Sequence, residues 1–83
     1  MEKLAITVIV NGQPTVVEAE TEAPLGTIIP IALEQTKNTG QPADNWELRD
    51  SAGVELNLDQ KIEDFHFPKD VRLFLNLKAG VGG

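Results

Sequence analysis

Val71-Arg72-Leu73-Phe74-Leu75-Asn76-Leu77-Lys78-Ala79-Gly80-Val81-Gly82-Gly83 decides how the whole chain is read. Leu73, Leu75 and Leu77 alternate with Arg72, Phe74, Asn76 and Lys78, the period-two pattern of a strand with one buried face. After Lys78 the pattern ends. Ala79 to Gly83 offers little side chain to pack, and ordering its three glycines costs entropy. The stretch therefore predicts a folded domain over residues 1–78 whose last core strand passes into a free, flexible arm over residues 79–83. A glycine end threads a narrow enzyme tunnel and presents its carboxyl carbon without hindrance. Gly82 and Gly83 are accordingly the candidate functional group. Chain termini are commonly rich in small residues, so the Gly-Gly pair alone does not decide function.

The 83 residues make one small domain, and the 41 % apolar content supplies a single core without metals or staples. There is no cysteine, which excludes disulfides, zinc-thiolate sites and thiol nucleophiles and fits a reducing compartment. Thirteen acidic against seven basic residues give a net charge of −6, which argues against nucleic acid or an anionic membrane as partner. No apolar run approaches the roughly 20 residues of a membrane span, and no signal peptide opens the chain. The expectation is a soluble, cytoplasmic, monomeric domain.

Outward from the last strand, Leu4 to Val10 is a β-branched run with Leu4, Ile6, Val8 and Val10 on one face. Asn11-Gly12 is a hairpin turn signal, and Thr15 to Glu20 is the returning strand. Placing Val17 and Ala19 inside leaves Glu18 and Glu20 in water. Leu25, Ile28, Ile29, Ala32 and Leu33 then share a helical face. Two starts are open for this helix, one with Pro24 in the first turn, the other with Thr27 as N-cap and Pro30 in the first turn. Either way it covers about Ile28 to Asn38, with Gly40 as its C-terminal stop. Trp46 to Asp50 alternates as a third strand with Trp46 and Leu48 inward, and Val54-Glu55-Leu56 reads as a short fourth. Asp59 to Phe67, with Ile62 and Phe65 three apart, suits a short helical turn capped by Asp59. Pro68-Lys69-Asp70 turns into the last strand. One helix on one face of a mixed, four- to five-stranded sheet is an α+β architecture. With the first and last strands paired in parallel at its centre, it is a β-grasp.

The order and spacing of these features resemble ubiquitin and its relatives over nearly the whole chain. Thr27-Ile28 opens the helix, Gly40-x-Pro42-x-Asp44 follows it, and Leu48 lies in the third strand. Ile62-Glu63-Asp64-Phe65-His66-Phe67 resembles ubiquitin's Leu-Ser-Asp-Tyr-Asn-Ile turn. Leu73-x-Leu75-x-Leu77-Lys78 resembles its last strand before Gly-Gly. Ile9-Val10-Asn11-Gly12 also resembles the start of the sulfur carriers of thiamine and molybdopterin synthesis, which share the fold and the Gly-Gly end. The general character is closest to bacterial ubiquitin-like families found beside activating- and conjugating-enzyme homologues.

The resemblance implies a protein modifier and not an enzyme. An activating-enzyme homologue would adenylate the Gly83 carboxylate with ATP, so this chain itself needs no cofactor. A conjugating enzyme would pass the acyl group to a lysine amine, giving an isopeptide bond, and a deconjugating protease would reverse it. In the sulfur-carrier alternative the adenylate becomes a thiocarboxylate. A further alternative is a plain β-grasp interaction module whose tail is incidental. Lys78 resembles the arginine that activating enzymes read, with Ala79, Gly80 and Val81 completing the stretch they would inspect. Ubiquitin's next arginine has no counterpart there, and the tail is one residue longer, which implies a dedicated partner. Arg49 and Asn76 stand where ubiquitin's receptor patch carries isoleucine and valine, so ubiquitin receptors are not expected to bind. Phe74, opposite Leu73 and Leu75, is either an anchor for a different partner or a lone surface apolar residue.

Other constellations yield less. His66, between Phe65 and Phe67, lacks the orienting partner and nucleophile that a catalytic base needs. Asp59, Glu63 and Asp64 match no calcium loop and read as a solvated face; no metal site is expected. Lys69 resembles the position of a chain-forming acceptor lysine, while Lys3, Lys37 and Lys61 are further surface amines. Trp46 reads as core.

Overall fold

The computed structural model describes residues 2–80. Strands β1 (Lys3–Val10) and β2 (Gln13–Glu20) are followed by a 3-10 turn at Leu25–Thr27 and helix α1 (Ile28–Gln35). Strands β3 (Trp46–Arg49) and β4 (Arg72–Leu77) come later in the chain. All four strands join one sheet in the order β2-β1-β4-β3. β1 and β4 pair in parallel at its centre, from Thr7 beside Arg72 to Val10 beside Leu75, and β2 and β3 pair antiparallel outside them. Parallel neighbours require a crossover, usually helical, and here it carries α1 across one face. This is the expected α+β β-grasp, with four strands.

Alternation decides which residues meet α1. Ile6, Val8 and Val10 of β1, Val17 and Ala19 of β2, Leu48 of β3 and Leu73 and Leu75 of β4 are buried in one cluster with Leu25, Ile28, Ile29, Ala32 and Leu33. Glu18 and Glu20 are exposed, as the sequence predicts. The β1–β2 hairpin closes through Asn11 and Gly12 at φ 48° and 87°, the positive values that its two-residue turn requires. Pro14 lies inside β2 and pairs with Ile9. A residue without an N–H is tolerated there because β2 is an edge strand.

Pro30 takes its expected place, whereas Pro24 stands extended ahead of the first turn and not in it. Pro24 precedes the 3-10 turn, whose last residue Thr27 is already helical (φ −65°, ψ −19°), and Pro30 falls in the first turn of α1. Thr27 makes no side-chain cap; its hydroxyl donates to the Pro24 carbonyl at 2.7 Å.

Several boundaries differ from the sequence expectation. α1 ends at Gln35, and its stop is Lys37, not Gly40. Asn38 N donates to Leu33 O at 2.8 Å and Lys37 N to Glu34 O at 3.1 Å, a Schellman closure with Lys37 left-handed at φ 61°. Lysine tolerates that conformation less well than glycine. Lys37→Gly is therefore expected to raise stability by about 0.5–1 kcal/mol, strain relief less glycine's larger entropy loss; a urea midpoint shifted upward at unchanged slope checks this.

Val54-Glu55-Leu56 does not form a strand. Glu55 makes one isolated bridge to Arg49, because among the described residues the backbone-to-backbone bonds between the two segments are just Asp50 N to Val54 O and Leu56 N to Leu48 O. Nor does Asp59 cap the next turn. The 3-10 turn spans Ile62–Phe65 with Lys61 before it, and Asp59 N instead donates to Asn57 Oδ1 at 3.0 Å. Ile62 is buried and Phe65 half-buried. His66 is exposed and left-handed (φ 55°), between Phe65 and Phe67, whose rings stack with centroids 4.9 Å apart.

Candidate functional site

β4 places the candidate residues. As a central strand it is held on both sides, with Leu73 and Leu75 buried beneath α1. Phe74 and Asn76 consequently turn to the opposite face. Registration puts Ile9, Phe74 and Arg49 side by side across three strands, with Asn76 beside Glu47 one step along. Three of the expected surface residues, Arg49, Phe74 and Asn76, are thus brought together on one sheet face.

Their exposure differs from the expectation. Phe74 is half-buried, not fully exposed, and its neighbour Ile9 is 8 % exposed despite pointing away from the α1 side. Arg49 is engaged by its own neighbourhood. Its Nε donates to Glu47 Oε2 at 2.6 Å and its Nη1 to Gly53 O at 2.8 Å, and Glu55 lies 4.0 Å away. Such part-exposed pairs contribute about 0–1 kcal/mol, but they neutralise the guanidinium and fix its direction. Asn76 is exposed. The face is a small apolar step bordered by a compensated charge.

At the end of β4 the backbone stays tied for one more residue, since Lys78 N donates to Asn45 O at 2.8 Å. The Lys78 side chain is exposed and lines a cavity of about 380 Å³ that also carries Asp44 and Asp59. Ala79 and Gly80 form a turn, with Gly80 at φ 83°. Among the described residues no neighbouring atom crowds that position. Backbone conformation, not space, therefore selects glycine there. Val81, Gly82 and Gly83 lie outside the described residues. Lys69 is exposed in the turn before β4, remote in sequence from this exit.

One buried group was not foreseen. Trp46 is 3 % exposed, as a core residue should be, yet its indole Nε1 has no acceptor among the described residues. Sequence places Trp46 inward by alternation but says nothing about what its N–H would meet. Among the described residues no three His, Cys, Asp or Glu side chains converge as metal ligands, and no helix is long and apolar enough to cross a membrane.

Solved structures with this architecture are ubiquitins and ubiquitin-like domains. The chain superposes on the ubiquitin of Caldiarchaeum subterraneum with a TM-score of 0.76, 20 % identity and coverage of 99 % of this chain and 100 % of that one. A designed protein based on ubiquitin gives a TM-score of 0.75 at 21 % identity, covering 98 % and 95 %. The ubiquitin-like domain of the Mycobacterium tuberculosis type VII secretion protein ECCD1 gives 0.67 at 18 % identity, covering 92 % and 99 %. At these identities the likeness shows the fold alone, and the fold is a ubiquitin-like β-grasp. In sequence, the chain is 54 % identical over 81 residues to protein y4jI of Sinorhizobium fredii, described as uncharacterized. That match takes in 98 % of this chain but spans only 62 % of the relative's length. The family model described as a protein of unknown function, DUF2604, matches residues 1–83, and the chain belongs to that family.

Proposed function

We propose that this chain is a ubiquitin-like modifier, joined to amines through the carboxylate of Gly83. The observation that carries the reading is the exit of β4. A central strand, anchored through Lys78 N, hands the chain directly to Ala79-Gly80 and then to Val81-Gly82-Gly83. The rigid sheet fixes the base of the tail, and the tail's own residues are small enough to enter a partner's active site.

The chemistry follows from the carboxylate. It is a poor electrophile because its leaving group would be oxide. A partner activating enzyme removes that obstacle when the carboxylate oxygen attacks the α-phosphorus of ATP and pyrophosphate departs. A partner thiolate then attacks the acyl carbon and AMP leaves, giving a thioester. Finally a lysine amine attacks the acyl carbon, the thiolate leaves, and the amine's proton passes to base, giving the isopeptide bond. This chain supplies the acyl group and its recognition surface, with Lys78, Ala79, Gly80 and Val81 as the residues an activating enzyme reads. The step at Ile9, Phe74 and Asn76 is the face offered to a conjugating enzyme or receptor.

The test uses lysate of the source organism, with and without ATP, beside a variant lacking Gly82 and Gly83. Heavier adducts that require ATP and vanish with the deletion are the expected outcome, read by gel and intact mass. A mass gain equal to one oxygen exchanged for sulfur assigns the chain to sulfur transfer instead. Absence of both species, with the activating-enzyme homologue demonstrably present, makes it a binding module.

A further inference from the structure

The two edges of the sheet are unlike. β3 spans four residues, and Leu56 N bonds to Leu48 O on its outer side. β2 spans eight residues, and its outer side is open. The direction of its free groups follows from β1. Thr7 N donates to Val71 O and Asn11 N to Leu75 O, so odd-numbered residues of β1 turn their backbone groups to β4 and even-numbered ones to β2. Opposite the odd ones stand Pro14, Val16 and Glu18. Their backbone groups therefore point away from the sheet, and among the described residues no backbone bond outside the ladder reaches Val16 or Glu18.

The side chains flanking this edge differ by face. On the outer face Val16 is 55 % exposed, with Glu18 and Glu20 exposed at every second position after it. Lys3 stands opposite Glu20, whereas Glu18 is opposite Ala5 and makes no ion pair among the described residues. On the other face, Thr15 Oγ1 donates to Gln35 Oε1 at 2.6 Å, which ties α1 to β2. Ile31, one turn before Gln35 on the same side of the helix, is 43 % exposed. Two of the three large apolar residues exposed among the described ones thus flank one open edge. Proteins blunt such edges with proline and charge. Pro14 does so at one end, and the two carboxylates also select what can add. A second copy laid along the edge would bring its own Glu18 and Glu20 to the same face, like charge against like.

We infer that the open edge of β2 takes up an extended segment of a partner protein in which basic and apolar residues alternate, added antiparallel as a further strand. Antiparallel pairing is the more stable kind per residue. The partner residues opposite Val16 and Glu18 each exchange two backbone bonds with them. Side chains opposite Glu18 and Glu20 lie on the outer face, about 4.5–5.5 Å away at Cβ, where lysine or arginine meets a carboxylate. Those opposite Val17 and Ala19 lie on the α1 side, where an apolar side chain covers Ile31. An exposed ion pair contributes little by itself. The backbone ladder therefore supplies the hold, and charge decides which strand is accepted.

The edge is independent of whether Gly83 is conjugated, and its test needs no partner enzyme. The probe is the peptide acetyl-Lys-Val-Lys-Val-Val-amide, whose residues in order fall opposite Glu20, Ala19, Glu18, Val17 and Val16. Ordering a short peptide costs entropy, so it is titrated into the full chain to millimolar concentration. The amide resonances of Val16 and Glu18 are expected to shift saturably, and their hydrogen exchange to slow about tenfold at nine-tenths saturation. Methylating the backbone nitrogen of the second lysine keeps the charge but removes the N–H that bonds Glu18 O, and should abolish the protection. The counterpart with glutamate in place of both lysines should bind at least about tenfold more weakly. Glu18→Lys, an exposed change that leaves the fold intact, should weaken the lysine peptide about five- to tenfold, since an attractive pair becomes a repulsive one. No protection at millimolar peptide, equal binding of the methylated or glutamate peptide, or undiminished binding to Glu18→Lys overturns the proposal. So does protection of Val16 and Glu18 that rises with protein concentration in the absence of peptide, which would give the edge to a second copy of the chain.

Discussion

Leu75→Ala is expected to lower the unfolding free energy by about 3–4 kcal/mol, while Asn76→Ala, one residue on, changes it by no more than about 0.5 kcal/mol. Leu75 is fully buried and stands at the crossing of the sheet, with Val10 of β1 on one side and Leu48 of β3 on the other. Truncation there removes transferred apolar surface and leaves a void that fixed neighbours on both sides cannot fill. A domain of this length has about 4–12 kcal/mol in total. The single change therefore removes a quarter or more of it and lowers Tm by about 12 °C or more. Asn76 is exposed on the opposite face and has nothing comparable to lose. Urea unfolding of the two variants in parallel checks the pair. Similar midpoints would mean that β4 does not hold this register in solution.

That contrast also marks what was legible in the chain. Period-two alternation gave the inward set of every strand correctly, because one buried face is a strong constraint and a slip by one residue would have put Leu73 and Leu75 in water. Asn11-Gly12 fixed the hairpin for an equally local reason. Features decided by tertiary contacts were read less well. Gly40 was the natural stop for α1, yet Lys37 accepts the left-handed turn because two backbone bonds to Leu33 and Glu34 close there. Val54 to Leu56 has strand-like residues but too few hydrogen bonds to Leu48 and Asp50 to become a strand. Asp59 has a capping side chain but sits two residues before the turn's actual edge at Lys61.

The candidate site divides in the same way. Arg49, Phe74 and Asn76 could be put on one face from alternation alone. That Arg49 is held by Glu47 and Gly53 depends on side-chain directions that no spacing encodes. Ile9 is the clearest omission. It alternates away from Val8 and Val10, so pattern assigns it to solvent, yet it is nearly buried on the outer face beside Phe74 and Pro14. An outward apolar residue in a central strand was the available signal. It makes the face less polar than Arg49 and Asn76 alone imply.

Trp46 offers the second large effect, and a way to separate its ring from its N–H. Trp46→Ala should cost about 3–5 kcal/mol, as expected for emptying a large buried aromatic site. Trp46→Phe should cost no more than about 1 kcal/mol. Phenylalanine loses some packing but also removes a buried donor whose lack of a partner carries a penalty of about 1–3 kcal/mol, and the two effects offset. Far-UV circular dichroism during urea unfolding measures both variants, since fluorescence is lost with the only tryptophan. A Trp46→Phe cost near that of Trp46→Ala would mean that the N–H is already well bonded in the free protein. A near-neutral Trp46→Phe would instead show that the indole N–H carries an unmet desolvation cost in the folded protein.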